Sequence, residues 1–246
     1  MGVMNKQALG GPQLLQKLVD EQHPLRLANT YKGISVSFEA KILSFDGSLA
    51  VLSVALPQAV CLVVEKMTNL ISDALPCALR ATVVDVNLKL GQAALVGFMP
   101  VSNTVGLRQE TRVAPADVVP LILSSEHIMA KAKLLDISTG GVGLQLKDNL
   151  YRAEVMSVGM GVRLLQIDLP VTRTLGWCEI ASLGTIRNIQ YWPTLHSYRL
   201  GVQIKPNPQV RALIEAYIAR RQKEILTEIT TLGQLLKKTS DTKEAE

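Results

Sequence analysis

Residues 34–38, Ile-Ser-Val-Ser-Phe, alternate apolar and polar side chains, the period of a half-buried strand. Residues 41–45 and 49–56 flank Asp46-Gly47, a dipeptide suited to a tight hairpin, and predict an antiparallel pair. Residues 79–87 and 93–100 predict another, with 88–92 between them. A helix is expected over 12–20, where Leu14, Leu15, Leu18 and Val19 share a face, and His23-Pro24 ends it. The most apolar stretch, 48–64, is broken at Pro57-Gln58; it is too short to span a bilayer and reads as two adjacent buried strands. These elements predict a small all-β unit, most simply a barrel or split barrel.

The pattern resumes after a polar, Gly-containing connector. Strands are expected over 118–123, 130–136, 143–146, 163–169, 175–188 and 198–204, a count that suits a six-stranded barrel. Gly140-Gly141 interrupts one pair and predicts a turn or bulge. From Asn207, a plausible N-cap, and Pro208, a plausible first helical residue, apolar positions follow helical spacing from Val210 through Leu236. That helix reaches about residue 237, roughly 30 residues or about 45 Å. The fold class is therefore all-β with a long C-terminal helix, built on two small β-barrels. The expected boundaries are 1–100 for the N-terminal domain, 101–107 for the connector, 108–207 for the second barrel and 208–246 for the helix and a charged tail.

A chain of 246 residues can bury two such cores. Three scattered cysteines, Cys61, Cys77 and Cys178, are not at metal spacing and suit a reducing cytoplasm. No charged and apolar leader opens the sequence, so a cytoplasmic location is expected. The net charge of +5 and pI near 9.1 permit an anionic partner, but the basic residues form no long run. Aromatics make up only 4%, which argues against a surface that stacks single-stranded bases.

Two short motifs carry the chemistry. The first is Arg108-Gln109-Glu110-Thr111-Arg112, an RxxxR whose arginines share a face in helix or strand. Each guanidinium fork can grip phosphate oxygens or the O6/N7 edge of guanine. The second is Asp136-Ile137-Ser138-Thr139-Gly140-Gly141, a DxSxxG. Its carboxylate can accept from guanine N–H groups, its hydroxyl can donate to phosphate, and glycine admits close approach. Asp136 follows 24 positions after Arg112. Each motif alone is common; together, in that order, they suit a compact ligand carrying phosphates and guanines.

RxxxR followed by [D/N]xSxxG resembles the signature of PilZ domains, which bind cyclic di-GMP. The resemblance extends to Gly201-Val202-Gln203-Ile204 as a late barrel strand, and the two-domain layout is similar to receptors of the flagellar-brake type. It implies a non-enzymatic cyclic di-GMP receptor acting on motility, biofilm formation or virulence through a change in domain arrangement. The implied ligand-binding residues are Arg108, Arg112, Asp136, Ser138 and Gly141, with Leu107 and Gly140 as secondary candidates. Leu107 stands where many family members carry another base, so one nucleotide per site is as compatible as an intercalated pair.

Other classes find less support. His23, His127 and His196 are far apart and lack metal spacing, and Ser138 is not in a nucleophile elbow. No cofactor, metal or membrane span is implied. A ligand-independent PilZ-fold adaptor and a single-stranded nucleic-acid-binding barrel stay open as alternatives. The apolar stripe of the last helix continues past Ile225 through Ile229, Leu232 and Leu236, beyond what one small barrel should cover; this predicts a homodimer. The downstream protein partner is not readable.

Overall fold

The computed structural model describes residues 10–101, 110–151, 156–170 and 177–242. Arg108 and the connector expected at 101–107, Leu107 included and Val101 excepted, lie outside the described residues. The chain divides into two compact units. One comprises Met1–Tyr31, Ser35–Arg108 and Leu226–Glu246; the other comprises Lys32–Ile34 and Gln109–Ile225.

The first unit begins with α1 (Gly11–Asp20), which buries Leu14, Leu15 and Leu18 on one face. Its strands are β1 (Leu25–Tyr31), β2 (Ile34–Ala40), β3 (Ile42–Phe45), β4 (Leu49–Ser53), β5 (Met67–Ile71), β6 (Ala78–Asn87) and β7 (Gln92–Val101). They form one seven-stranded sheet, ordered β2-β1-β5-β6-β7-β4-β3, that curls into a half-barrel. The β3–β4 hairpin forms at Asp46-Gly47 as the sequence predicts. Asp46 Oδ1 accepts from the backbone N–H groups of Ser48 (2.9 Å) and Leu49 (2.7 Å), and Gly47 supplies φ +94°.

One expectation is corrected here. The second half of the apolar stretch is a helix, α2 (Leu56–Glu65), not a strand. Pro57 lies in its first turn, where no N–H is needed, so it starts the helix rather than breaking it. Gln58 through Leu62 are all buried, so the run has no polar face and no period to read. Lys66, at φ 57°, ends the helix and donates its N–H to the Leu62 carbonyl at 3.0 Å. Burial, and secondarily the Glu65 carboxylate, push the Cys61 thiol up to about 12, so it stays protonated as a packing residue.

The second unit is a closed six-stranded barrel, ordered β10-β13-β12-β11-β8-β9. Its strands are β8 (Val119–Ser124), β9 (Met129–Ser138), β10 (Gly141–Lys147), β11 (Gly161–Pro170), β12 (Trp177–Trp192) and β13 (Ser197–Ile204). Closure is all antiparallel and leaves the barrel no open edge. Aliphatic side chains such as Leu121, Leu123, Leu134, Leu144, Leu164 and Leu200 fill it.

The last helix, α3, runs Pro208–Thr242. Asn207 caps it, its Oδ1 accepting from the Val210 N–H at 2.8 Å. Ile214, Tyr217 and Ile218 are buried in the second unit, whereas residues from Leu226 onward belong to the first. There Ile229 is buried, Gly233 packs on the Leu56 side chain, and the Tyr31 hydroxyl donates to Glu228 at 3.3 Å. Ile225 is buried too, and Leu232 and Leu236 are half-buried. The stripe that predicted a homodimer is thus buried at Ile225 and Ile229 and half-buried at Leu232 and Leu236 within one chain. No helix among the described residues is long and apolar enough to cross a membrane.

Candidate functional site

The site is built by a break in the alternation of β9. Leu134 pairs with Leu144, but Asp136 pairs with Gly143, so Leu135 is an extra residue that shifts the register. Had the strand alternated regularly through Leu135, Asp136 would share the inward face of Leu134, since strand side chains repeat every second residue. The bulge instead sends Ile137 inward, where it is fully buried opposite Val142, and sets Asp136 and Ser138 on the other face. Thr139-Gly140 then closes the hairpin to Gly141.

Beyond Leu134, where the pairing with β8 ends, Val113 flanks β9. Its N–H donates to the Ile137 carbonyl and its carbonyl accepts from the Ile137 N–H, both at 3.0 Å. The Ala114 N–H donates to the Lys32 carbonyl at 2.8 Å, and the buried Arg221 donates Nε to the Ala114 carbonyl at 3.0 Å. The backbone after RxxxR is therefore held on both sides, and Arg112 is delivered beside Asp136.

Asp136 sits between two guanidinium groups. Arg112 Nη1 lies 3.1 Å from Oδ1, and Arg199 Nη2 lies 2.7 Å from Oδ2. The carboxylate is largely buried, at 11% exposure, whereas the two arginines are about a third exposed, at 32% and 33%. The cations thus keep open faces toward solvent. Arg199 also lies over the Trp192 ring, 5.6 Å from its centroid, which steadies it from a second side. Gly143 makes the arrangement possible, because a Cβ there would fall 2.6–2.9 Å from the three carboxylate atoms of Asp136.

The second half of the site is an anion cradle. The Ser138 hydroxyl, fully buried, donates to Glu110 Oε2 at 3.0 Å and lies 3.2 Å from the Gly141 carbonyl. The Gly140 N–H donates to the same Glu110 oxygen at 3.0 Å. Neither Gly140 nor Gly141 has a positive φ, so their value is space rather than backbone freedom. A Cβ on Gly141 would come 3.2 Å from the Val202 carbonyl and 3.7 Å from Arg112 Nη2.

The structure thus brings together Arg112, Asp136, Ser138, Gly140 and Gly141 from the two sequence motifs. Arg108 and Leu107 lie outside the described residues. Sequence reasoning missed Glu110, Gly143 and Arg199. Glu110 lies inside RxxxR itself, and Gly143 ends Gly-Gly-Val-Gly. Arg199 stands two before Gly201 on one strand, so period-2 reading of β13 puts both on one face. No group of three metal-ligating side chains occurs among the described residues.

No family model and no curated protein matches the chain. Among solved structures, it is similar to the Bacillus subtilis inhibitor of motility MotI/DgrA, at 16% identity over 82% of this chain and 97% of that one, with a TM-score of 0.43. It is similar to the complex of MrkH from K. pneumonia with c-di-GMP, at 13% identity over 88% and 94%, TM-score 0.44. It is also similar to Escherichia coli YcgR in complex with c-di-GMP, at 16% identity over 94% and 100%, TM-score 0.41.

Proposed function

We propose that this protein is a cyclic di-GMP receptor of PilZ type. The observation that carries the reading is the convergence of Arg112, Arg199, Asp136, Ser138 and the Gly140 N–H on one face of the second unit's barrel. Guanidinium groups can take phosphate oxygens or the Hoogsteen edge of guanine in bidentate fashion. Asp136 can accept from guanine N1–H and N2–H, and Ser138 with Gly140 can donate to a phosphate oxygen. One molecule with two guanines and two phosphates satisfies all of these groups at once. The role is recognition, with no bond made or broken. Arg108 is assigned to the same ligand through its place in RxxxR.

The boundary between the two compact units falls inside this motif, between Arg108 and Gln109. Differential affinity of the ligand for two arrangements of the chain would couple binding to domain movement. Such movement is the proposed output, acting on motility or surface growth through a protein partner.

Isothermal titration with cyclic di-GMP tests the reading, with cyclic di-AMP and GTP as controls. Saturable heat with cyclic di-GMP that Arg112→Ala and Asp136→Ala both reduce is the expected result. Absence of binding by the folded protein would return the chain to the ligand-independent adaptor reading.

A further inference from the structure

We infer that Glu110 is an internal competitor for the phosphate subsite, a latch that lowers the receptor's affinity and that the ligand must displace. The inference rests on the receptor reading above and goes beyond it. The Ser138 hydroxyl and the Gly140 N–H are the two uncharged donors of the site, and both point at one oxygen, Glu110 Oε2, at 3.0 Å. A carboxylate on two such donors imitates one edge of a phosphate: an anionic oxygen accepting two hydrogen bonds. The fit is specific to glycine at the turn. A Cβ on Gly140 would lie 2.8 and 3.0 Å from the Glu110 carboxylate oxygens. Ser138 is wholly buried, so its hydroxyl depends on acceptors the protein provides, the Gly141 carbonyl at 3.2 Å and Glu110.

Glu110 itself is exposed, and it belongs to the segment that carries the two arginines. It can therefore swing out without breaking the barrel. The same five-residue motif then holds both the groups that attract the ligand and the group that repels it. A phosphate entering the cradle meets a carboxylate already there, and one must leave, because two anions on one pair of donors repel strongly. If the latch is closed nine-tenths of the time, apparent affinity falls about tenfold.

The test compares full-length wild type, Glu110→Ala and Glu110→Gln by titration with cyclic di-GMP. Arg112→Ala serves to confirm that the measured site is this one. Tighter binding by Glu110→Ala, by roughly tenfold, with Glu110→Gln between it and wild type, supports the latch. Unchanged or weaker binding overturns it; weaker binding would make Glu110 a ligand contact, an acceptor for guanine N–H groups. A second arm does not depend on the receptor reading. The Gly140 amide is followed by NMR while inorganic pyrophosphate is added. A larger shift in Glu110→Ala than in wild type supports competition at the cradle even if cyclic di-GMP binds neither protein, and equal shifts overturn it.

Discussion

Among the described residues, Asn29 in the first unit and Asp136 in the second each centre a cluster of polar groups, and the two clusters are built on opposite plans. In the first unit, Asn29 is the centre. Its amide donates to Glu65 and to the Met67 carbonyl, both at 2.7 Å, and its carbonyl accepts from Gln58 (2.6 Å) and Thr68 (2.7 Å). All four capacities of the amide are used. The cluster ties α2 to β1 and β5 and is closed to ligands. In the second unit, Asp136 is the centre, its partners are full charges, and those partners are about a third exposed. A cluster whose central amide spends all its hydrogen bonds on the protein itself holds a fold. A charged cluster whose cations keep open faces is available to something else. The contrast separates architecture from recognition without reference to any known protein.

The comparison can be broken from either side. Asn29→Ala should have the largest effect on folding, a loss of about 3 kcal/mol or more, because four partners, the buried Gln58 and Thr68 among them, lose their bonds at once. Urea denaturation followed by tryptophan fluorescence and far-ultraviolet dichroism measures it. Arg112→Ala should do the reverse: cyclic di-GMP affinity should fall at least tenfold, from the loss of charge-assisted bonds worth roughly 1.5–3 kcal/mol, while the unfolding midpoint moves little. A large loss of stability in Arg112→Ala with binding intact would place both clusters in the architectural class.

Gly143→Ala should act between these extremes. Its Cβ would displace the Asp136 carboxylate from between the two arginines, lowering affinity by roughly tenfold while the barrel still folds. Calorimetry with a parallel melting curve reads both parts. Gly141→Val should also weaken binding, for lack of room rather than for backbone strain.

The smallest effect concerns pH. Burial raises the pKa of Glu65 above its usual 4.5, against the hydrogen bond from Asn29, which lowers it. The folded state therefore holds the Glu65 proton more tightly than the unfolded state. This contribution to stability is fully present below pH 4.5 and is lost as pH rises through the raised value. Glu65→Gln keeps an acceptor for Asn29 and should flatten that part of the profile. Stability measured from pH 4.5 upward, in both proteins, checks the sign.

The same polar cluster explains what the sequence concealed. The alternating strands and the Asp46-Gly47 hairpin were legible because hydrophobic residues point inward there. β1 and β5 were not, because Asn29 and Thr68 are buried while Met67 is exposed, an inversion of the usual pattern. α2 was hidden by its uniform hydrophobicity. At the site, Arg112, Asp136, Ser138 and Gly141 could be proposed together because two local motifs contain them. Arg199 could not, since it meets Asp136 across 63 positions, and only the pairing of β10 with β13 brings it there. The bulge at Leu135 was equally invisible: nothing local marks a leucine as the residue that changes a strand's phase.

The route of the chain bears on how the protein can be cut. Between residues 31 and 35, again at 108, and again at 225, the backbone passes from one unit to the other, so each unit is assembled from separated segments. A protease that nicked the stretch before RxxxR would leave a fragment whose last helix still supplies part of the first unit. Subcloning 108–207 as a free-standing module would remove the Lys32 carbonyl that holds Ala114 and the helical turn that carries Arg221. A piece that keeps the site with both supports must reach at least from Lys32 to Arg221.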